Sequence, residues 1–307
     1  MKAVLIYQYG GPEELKYTDA PTPDINPDDV LVKVFATSVN PVDWKVREGH
    51  FPGKRQFPVI LGWDVSGVIE KIGSEVKDFK IGDEVYARPD VSRNGTYAEY
   101  VAVRANEISY KPKSIDHLNA ASIPLAGLTA WQGLFDHGKL TSGQKVLIHG
   151  AAGGVGTLAV QLAKWKGAYV IGTASEKNAE FLKDLGADEI IDYHNEKFEE
   201  KLKDIDVVFD TIGGDTQIKS LEVLKPGGIL VSTVGLTDEA AITSKGFTGI
   251  QYMAQSVPAN LKAMAELIDA GKLKPVIAQV LPLSEIKRAH HLSEEGHTRG
   301  KIVLSLE

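Results

Sequence analysis

Residues 146–163 read VLIHGAAGGVGTLAVQLA, and both the residue types and their order could do chemistry. Val146, Leu147 and Ile148 form a β-prone apolar run that leads to Gly150. Gly153, Gly154 and Gly156 follow, and a run rich in Ala, Leu and Gln begins at Thr157. A strand, a glycine turn and a helix in that order can bind a pyrophosphate. The turn is tight, the backbone can approach the anion closely, and the helix start offers free N–H groups. The chemistry implied is that of a dinucleotide redox cofactor. The strict GxGxxG spacing is altered, because Ala151 takes the first glycine position, with Gly153 and Gly156 as second and third. Glycine turns also occur without a ligand, so the surrounding elements must decide.

Those elements alternate. Short apolar runs at 168–173, 188–192, 206–210 and 228–232 read as further strands, and residues 176–185 read as a helix. Strands alternating with helices predict a parallel, doubly wound α/β sheet. An NAD-selective site usually ends its second strand in Asp or Glu, which holds the ribose hydroxyls. Here the order is Thr173, Ala174, Ser175, Glu176, Lys177. Ser175 and Lys177 can receive a 2′-phosphate by hydrogen bond and charge, which points to NADPH. The plainer reading has Ser175 capping the next helix and Lys177 in solvent. The two are compatible, since both occur at a helix start. Glu176 is expected to point away, and His149 to pack at its strand end rather than act as a base.

The first 120 or so residues have another texture. Strands are expected at 30–37, 65–72, 83–87 and 97–103, punctuated by Pro21, Pro23, Pro27, Pro41, Pro52, Pro58, Gly62, Gly67, Gly73 and Gly82. Short strands with dense turn signals suggest an irregular β-barrel. Beyond Met253 come an expected helix at 259–270, a second near 284–293 and a final strand at 301–306. The net charge of −7 argues against nonspecific nucleic-acid binding. No apolar run approaches the length of about 18 residues that a membrane span needs. The opening MKAVLIYQYGG is too short and too soon interrupted for a signal peptide. With no cysteine in the 307 residues, disulfides and thiolate zinc sites are impossible, and a cytoplasmic setting is expected.

Several stretches carry a family resemblance jointly: SVNPVDWKVREG at 38–49, LGWDVSGVIEKIGSEVKDFKIGDEV at 61–85, GTYAEYV at 95–101, LAGLTAW at 125–131, GAAGGVG at 150–156, LKPGG at 224–228 and GKIVL at 300–304. In this order the whole chain resembles a medium-chain dehydrogenase/reductase, in the zinc-free branch of quinone and enone oxidoreductases related to zeta-crystallin. The resemblance implies a GroES-like β-barrel catalytic domain at 1–123, a Rossmann NADPH-binding domain at 124–258, and a return to the catalytic domain at 259–307. It also implies an active site in the cleft and a homodimer. Zinc alcohol dehydrogenases of this superfamily carry a Cys soon after the strand ending here near Val39, a Gly-His-Glu near residues 61–64, and a four-Cys lobe. Here those regions read NPVDWK and LGWDVSG, and the lobe is missing. No metal is expected, and the lone His50 lacks ligand partners for zinc.

By the same resemblance, Asn40 lies near the nicotinamide and Thr129 near its ribose or the phosphates. Ala152, Gly153, Gly154, Val155 and Gly156 cradle the pyrophosphate. Tyr193 joins Ser175 and Lys177 on the 2′-phosphate. Asp210, Thr211 and Ile212, and Thr233, Val234 and Gly235, border the adenosine and nicotinamide at later strand ends. Turn and cap chemistry is the bland alternative for Asn40 and Thr129. Many quinone reductases of the branch have a pocket Tyr where this chain has Phe51. The VDWK segment instead resembles plant-type enone oxidoreductases, which makes Lys45 the candidate to stabilise a developing enolate; a solvated Lys beside Trp44 is its alternative. Phe51, Trp63, Tyr252 and Met253 are candidates for an apolar pocket, or for core. The expected reaction passes hydride from NADPH to a quinone or to the β-carbon of an α,β-unsaturated carbonyl, with no metal required. A 2-enoyl thioester reductase, a non-catalytic NADPH-binding protein of the crystallin kind, an RNA-binding side role and a methyltransferase are the rivals. The last is disfavoured by a glycine turn lying midway along the chain.

Overall fold

The structure is a computed structural model that describes residues 1–50, 56–90 and 92–306. It divides into two units: Met1–Ala126 with Ser256–Gly271 and Pro275–Glu307, and Gly127–Gln255 with Lys272–Lys274. The first unit begins with β1 (Lys2–Ile6), β2 (Lys16–Asp19), β3 (Asp29–Val39), α1 (Pro41–Arg47), β4 (Val59–Ile60), β5 (Val65–Ile72), β6 (Glu84–Ala87), β7 (Tyr100–Arg104), β8 (Ile108–Tyr110) and α2 (His117–Ala121). β1 lies between β2 and β4, while β3 pairs antiparallel with both β5 and β7, and β6 joins β5 to β8. Strand β3 shows why the sequence folds this way. Val32, Val34 and Ala36 are buried while Lys33 and Phe35 between them are exposed, the two-residue period of a half-buried strand. The strand expected at 97–103 begins only at Tyr100, because Tyr97 turns inward to a buried polar partner described below.

Helix α3 (Pro124–Trp131) and a π-helical turn (Gln132–His137) lead on. The second unit contains β9 (Lys145–Ile148), α4 (Gly154–Trp165), β10 (Tyr169–Ala174), α5 (Ala179–Asp184), β11 (Glu189–Asp192), α6 (Phe198–Lys201), β12 (Ile205–Asp210), α7 (Gly214–Ser220), β13 (Leu224–Ser232), α8 (Glu239–Ser244) and β14 (Thr248–Gln251). Its sheet has the order β11-β10-β9-β12-β13-β14, and every pairing is parallel. This is the doubly wound arrangement, with β9 and β12 at the point where strand order reverses. Strand β14 has no apolar run, only TGIQ, which is why no strand was expected there. Helix α4 starts at Gly154, a turn earlier than composition suggests, because its glycines read as loop.

The chain then completes the first unit with α9 (Pro258–Asp269), β15 (Ile277–Pro282), α10 (Ile286–Glu294) and β16 (Lys301–Ser305). β16 pairs antiparallel with β3 and parallel with β15. The core beneath mixes both chain ends: Leu5, Trp63 and Tyr97 pack with Leu283, Ile286 and Leu304. Among the described residues no helix is long and apolar enough to cross a membrane.

A line of buried polar groups ties α1 to α10. The Arg47 side chain is fully buried and donates to Gly10 O (2.9 Å), Glu294 Oε1 (2.7 Å) and Glu48 Oε1 (2.7 Å). It also donates to His290 Nδ1 at 3.0 Å. A guanidinium only donates, so Nδ1 accepts and Nε2 carries the proton. Nε2 then donates to the Tyr97 hydroxyl (3.4 Å), which donates to Asp43 Oδ2 (2.8 Å). The Asn40 N–H reaches the same oxygen at 2.6 Å, while Asp43 Oδ1 has no partner among the described residues. Burial, reinforced by the Arg47 charge, pushes His290 down to about 3. Burial pushes Asp43 up to about 7, against the hydrogen bonds from Asn40 and Tyr97.

An unfolded aspartate ionises near 3.8 and folded Asp43 at about 7, so between those values the folded chain keeps a proton the unfolded chain has released. That stabilisation is complete below the lower value and is lost as pH rises through the upper one. His290 acts with the opposite sign, so the readable quantity is a difference between variant and wild type. The stability of wild type minus that of Asp43→Asn should fall by about 1.4 kcal/mol per pH unit from about pH 4 to about pH 7. Urea unfolding across that range measures it; a constant difference would mean that Asp43 does not take up the proton.

Candidate functional site

The glycine turn is built from close approaches. Gly150 has φ of +69°, the left-handed region, and its carbonyl accepts from Gly153 N at 3.0 Å. The glycine that the turn itself demands is therefore Gly150. Ala151 is completely buried, and its methyl lies 2.8 Å from where a Cβ on Gly172 would stand. Gly172 on β10 thus provides the space that a glycine at 151 would have left empty. A Cβ on Gly156 would lie 2.3 Å from Gly150 O and 2.6 Å from Ala151 O, so the first turn of α4 can press on the loop only without a side chain there. Gly153 differs. Its φ is −75°, and its Cβ would meet nothing nearer than Gly150 O at 3.4 Å. Neither the backbone nor the packing requires glycine at 153. What glycine leaves is bare backbone at the start of a twelve-residue helix with no acid in its first turn, a cradle that suits a pyrophosphate.

The neighbouring strand ends bring other candidates together. Ala174 stands opposite Asp192 in register, so Ser175 and Tyr193 leave the sheet side by side. Tyr193 is 55% exposed, and Lys177 is exposed in a short 3-10 turn, Glu176–Asn178, that follows Ser175. The Ser175 hydroxyl caps no backbone amide; it accepts from Asn178 Nδ2 at 3.1 Å. Glu176 is exposed as well. His149 lies fully buried beneath these ends, with Nε2 at 2.8 Å from Ser220 Oγ and Nδ1 at 3.1 Å from Thr173 Oγ1. Ser220 already donates to Thr216 O, so Nε2–H donates and Nδ1 accepts from Thr173. Burial pushes His149 down to about 4, opposed by the Asp210 charge. It is a neutral strut at working pH and reaches no solvent. Thr211 donates to His149 O at 2.9 Å, and Val234 and Gly235 follow β13, with Val234 43% exposed. Thr129 lies on α3 in this same unit, 9% exposed, and its carbonyl accepts the Tyr252 hydroxyl.

Asn40 and Lys45 belong to the first unit. Asn40 is 4% exposed, and its amide is held on both sides: Oδ1 accepts from Lys301 Nζ, and Nδ2 donates to Asp64 Oδ2 at 2.7 Å. Lys301 also donates to Val39 O (2.9 Å) and reaches Asp64 Oδ2 (3.3 Å). Asp64, fully buried, accepts further from Ser38 Oγ (2.5 Å) and Leu125 N (2.6 Å). Sequence reading missed Asp64 and Lys301, whose only signal is a charged residue at the head of an apolar strand and another inside the LGWDVSG run. Lys45 is half-buried on α1, with its ammonium 5.5 Å from the centre of the Trp44 ring. Two pocket candidates are buried. Trp63 is 1% exposed inside the core, so its ring is packing rather than an open wall; Tyr252 is 8% exposed with its hydroxyl committed to Thr129. Met253 is 51% exposed, and Phe51 lies outside the described residues.

The glycines make separable predictions. Gly156→Ala should cost about 1–3 kcal/mol through overpacking, while Gly153→Ala should change stability by less than about 0.5 kcal/mol. Urea unfolding of the two variants measures both. Equal losses would mean that Gly153 is also demanded by the fold.

The family model described as an alcohol dehydrogenase GroES-like domain matches residues 26–113, and one described as a zinc-binding dehydrogenase matches residues 185–304. The donors for zinc do not fit: the chain has no cysteine, and among the described residues no three His, Asp or Glu side chains gather to hold a metal. The mitochondrial NAD(P)H oxidoreductase RTN4IP1 of Mus musculus is 38% identical over 353 residues, spanning 100% of this chain and 89% of its own length. The chloroplastic NADPH-dependent alkenal/one oxidoreductase of Arabidopsis thaliana is 40% identical over 318 residues, 99% of this chain and 79% of its own. The compartments in those two names are not the cytoplasm expected here. The solved quinone oxidoreductase from Coxiella burnetii shares 40% identity and a TM-score of 0.94, with 100% of this chain and 99% of that one covered. The chain therefore belongs to the medium-chain dehydrogenase/reductase superfamily of oxidoreductases, in the branch of the quinone and enone oxidoreductases.

Proposed function

We propose that this chain is an NADPH-dependent reductase of quinones or of α,β-unsaturated carbonyl compounds. The observation that carries this reading is the bare backbone at Gly153, where the fold itself does not ask for glycine. A pyrophosphate fits there, with the amides of the first turn of α4 as donors. The preference for NADPH over NADH rests on the strand ends. Ser175 supplies a hydroxyl, Lys177 a charge and Tyr193 a phenol at one edge, with no acid closing β10. The names of the relatives support a nicotinamide nucleotide, and one specifies NADPH.

The bound nicotinamide would supply a hydride. In an enone this forms a new C–H bond at the β-carbon, while the double-bond electrons move toward the carbonyl oxygen. The protein's share is to hold that growing negative charge. Lys45 is the residue we assign to it, because this half-buried residue carries a positive charge and a cation aimed at a developing oxyanion lowers the barrier. Solvent then protonates the α-carbon. Asn40 is proposed to meet the nicotinamide end, with its amide oriented by Lys301 and Asp64.

Oxidation of NADPH and NADH should be followed separately against quinones, 2-alkenals, cyclic enones and a crotonyl thioester. Turnover is expected with quinones or enones and with NADPH preferred. A preference for the thioester would favour the enoyl-thioester reading, and turnover with none of the acceptors would overturn the reductase reading. Lys177→Ala should raise the KM for NADPH by about tenfold, as the loss of one charge-assisted contact does, and leave that for NADH nearly unchanged. An equal effect on both nucleotides would remove Lys177 from the 2′-phosphate.

A further inference from the structure

The resemblance sets Asp210 along the cofactor, but its carboxylate is committed to partners within the protein. It stands at the end of β12 and is fully buried. Its Oδ1 accepts from Ile212 N (2.9 Å) and Gly213 N (3.0 Å) in the turn that follows β12. Its Oδ2 accepts from Gln217 Nε2 (2.8 Å) on α7 and from Ser232 Oγ (3.1 Å) at the end of β13. Those two partners reach the next turn in their own right. Gln217 Nε2 also donates to Gly235 O (2.9 Å), Gln217 Oε1 accepts from Thr237 N (2.6 Å), and Ser232 Oγ accepts from Val234 N (3.2 Å). Gln217 and Ser232 are 1% and 0% exposed.

We propose that Asp210 is a positioning residue that holds the turns after β12 and β13 in one arrangement, through Gln217 and Ser232, so that they receive the nicotinamide nucleotide. This rests on the cofactor reading above. The chemistry of the group fits the task. Four donors converge on it, and a carboxylate, which only accepts, can answer all of them. The tips of the same turns are open, with Ile212 56% and Val234 43% exposed. A buried, fully engaged base under open tips leaves the ligand-facing backbone little ordering to undergo on binding, which is preorganisation. An amide at 210 would turn an N–H₂ toward Gln217 Nε2 or toward the amides of Ile212 and Gly213. Gln217 cannot flip in response without losing both Thr237 N and Gly235 O.

Two readouts test this. In the cofactor-free protein, hydrogen exchange at the Ile212, Gly213 and Thr237 amides should accelerate by about tenfold or more in Asp210→Asn, as loss of a hydrogen bond to a charged group implies. Amides within β9 should keep their rates. The Kd for NADPH, read by its fluorescence, should rise by about tenfold, while kcat at saturating NADPH stays within about threefold, the signature of a binding role. Gln217→Met, which spares the carboxylate and cuts only the bridge to the second turn, should loosen Thr237 and leave Gly213 protected; it carries the test if Asp210→Asn does not fold. Unchanged exchange in the turns, or an unchanged Kd in the folded variant, would overturn the inference alone. A wild-type protein that binds no nicotinamide nucleotide would overturn the cofactor reading and the inference with it.

Discussion

The second unit depends on one close approach. The start of α4 lies against the carbonyls of Gly150 and Ala151, and this is sterically open only because position 156 has no side chain. That contact fixes where α4 leaves the sheet and which amides its first turn presents. It also sets how the loop after β9 meets β10, where the Ala151 methyl fits over Gly172. Parallel pairing then carries the geometry outward, because each strand ends in register with its neighbour. Ser175, Tyr193, Thr211 and Val234 reach the same end of the sheet for that reason.

The first unit solves a different problem. It buries Asp43, Asp64, Arg47 and Lys301 with little or no exposure, and a buried charge is costly unless paired and hydrogen-bonded. Arg47 and Lys301 use their donors on carbonyls and carboxylates from distant parts of the chain. Asp64 is answered by Ser38, Asn40, Leu125 and Lys301 together. Asp43 is the exception, with one oxygen unanswered among the described residues, and burial raises its carboxyl to about 7. The orientation of Asn40 is a by-product of this accounting.

The parallel sheet was legible because its strands are buried on both faces and read as unbroken apolar runs, as VLI and VVF do. β14 was not, since TGIQ at the sheet edge needs no such run. The glycine turn was legible in outline, but its division of labour was not: a string of glycines does not say that 150 serves the backbone, 156 the packing and 153 neither. Ser175 and Lys177 followed from a strand end, and Tyr193 joined them only through the family resemblance. Asp64 and Lys301 escaped notice because their partners lie far along the chain, and a sequence shows charge without showing burial. Trp63 reads equally well as wall or core in the sequence, and only the structure shows it 1% exposed.

The first unit is completed by residues from beyond position 255, and this bears on how the protein comes into being. Synthesis runs from the amino end, so Asn40, Arg47 and Asp64 emerge long before Lys301 and His290. Until those arrive, the early segment lacks the cation for Asp64, the ring beside Arg47 and one of the three strands that pair with β3. The middle of the chain, whose sheet draws on residues 145–251 alone, has every strand of that sheet first. The order in which the ribosome delivers the two units is therefore the reverse of the order in which they can be finished, and the earliest-made part waits longest in an incomplete state.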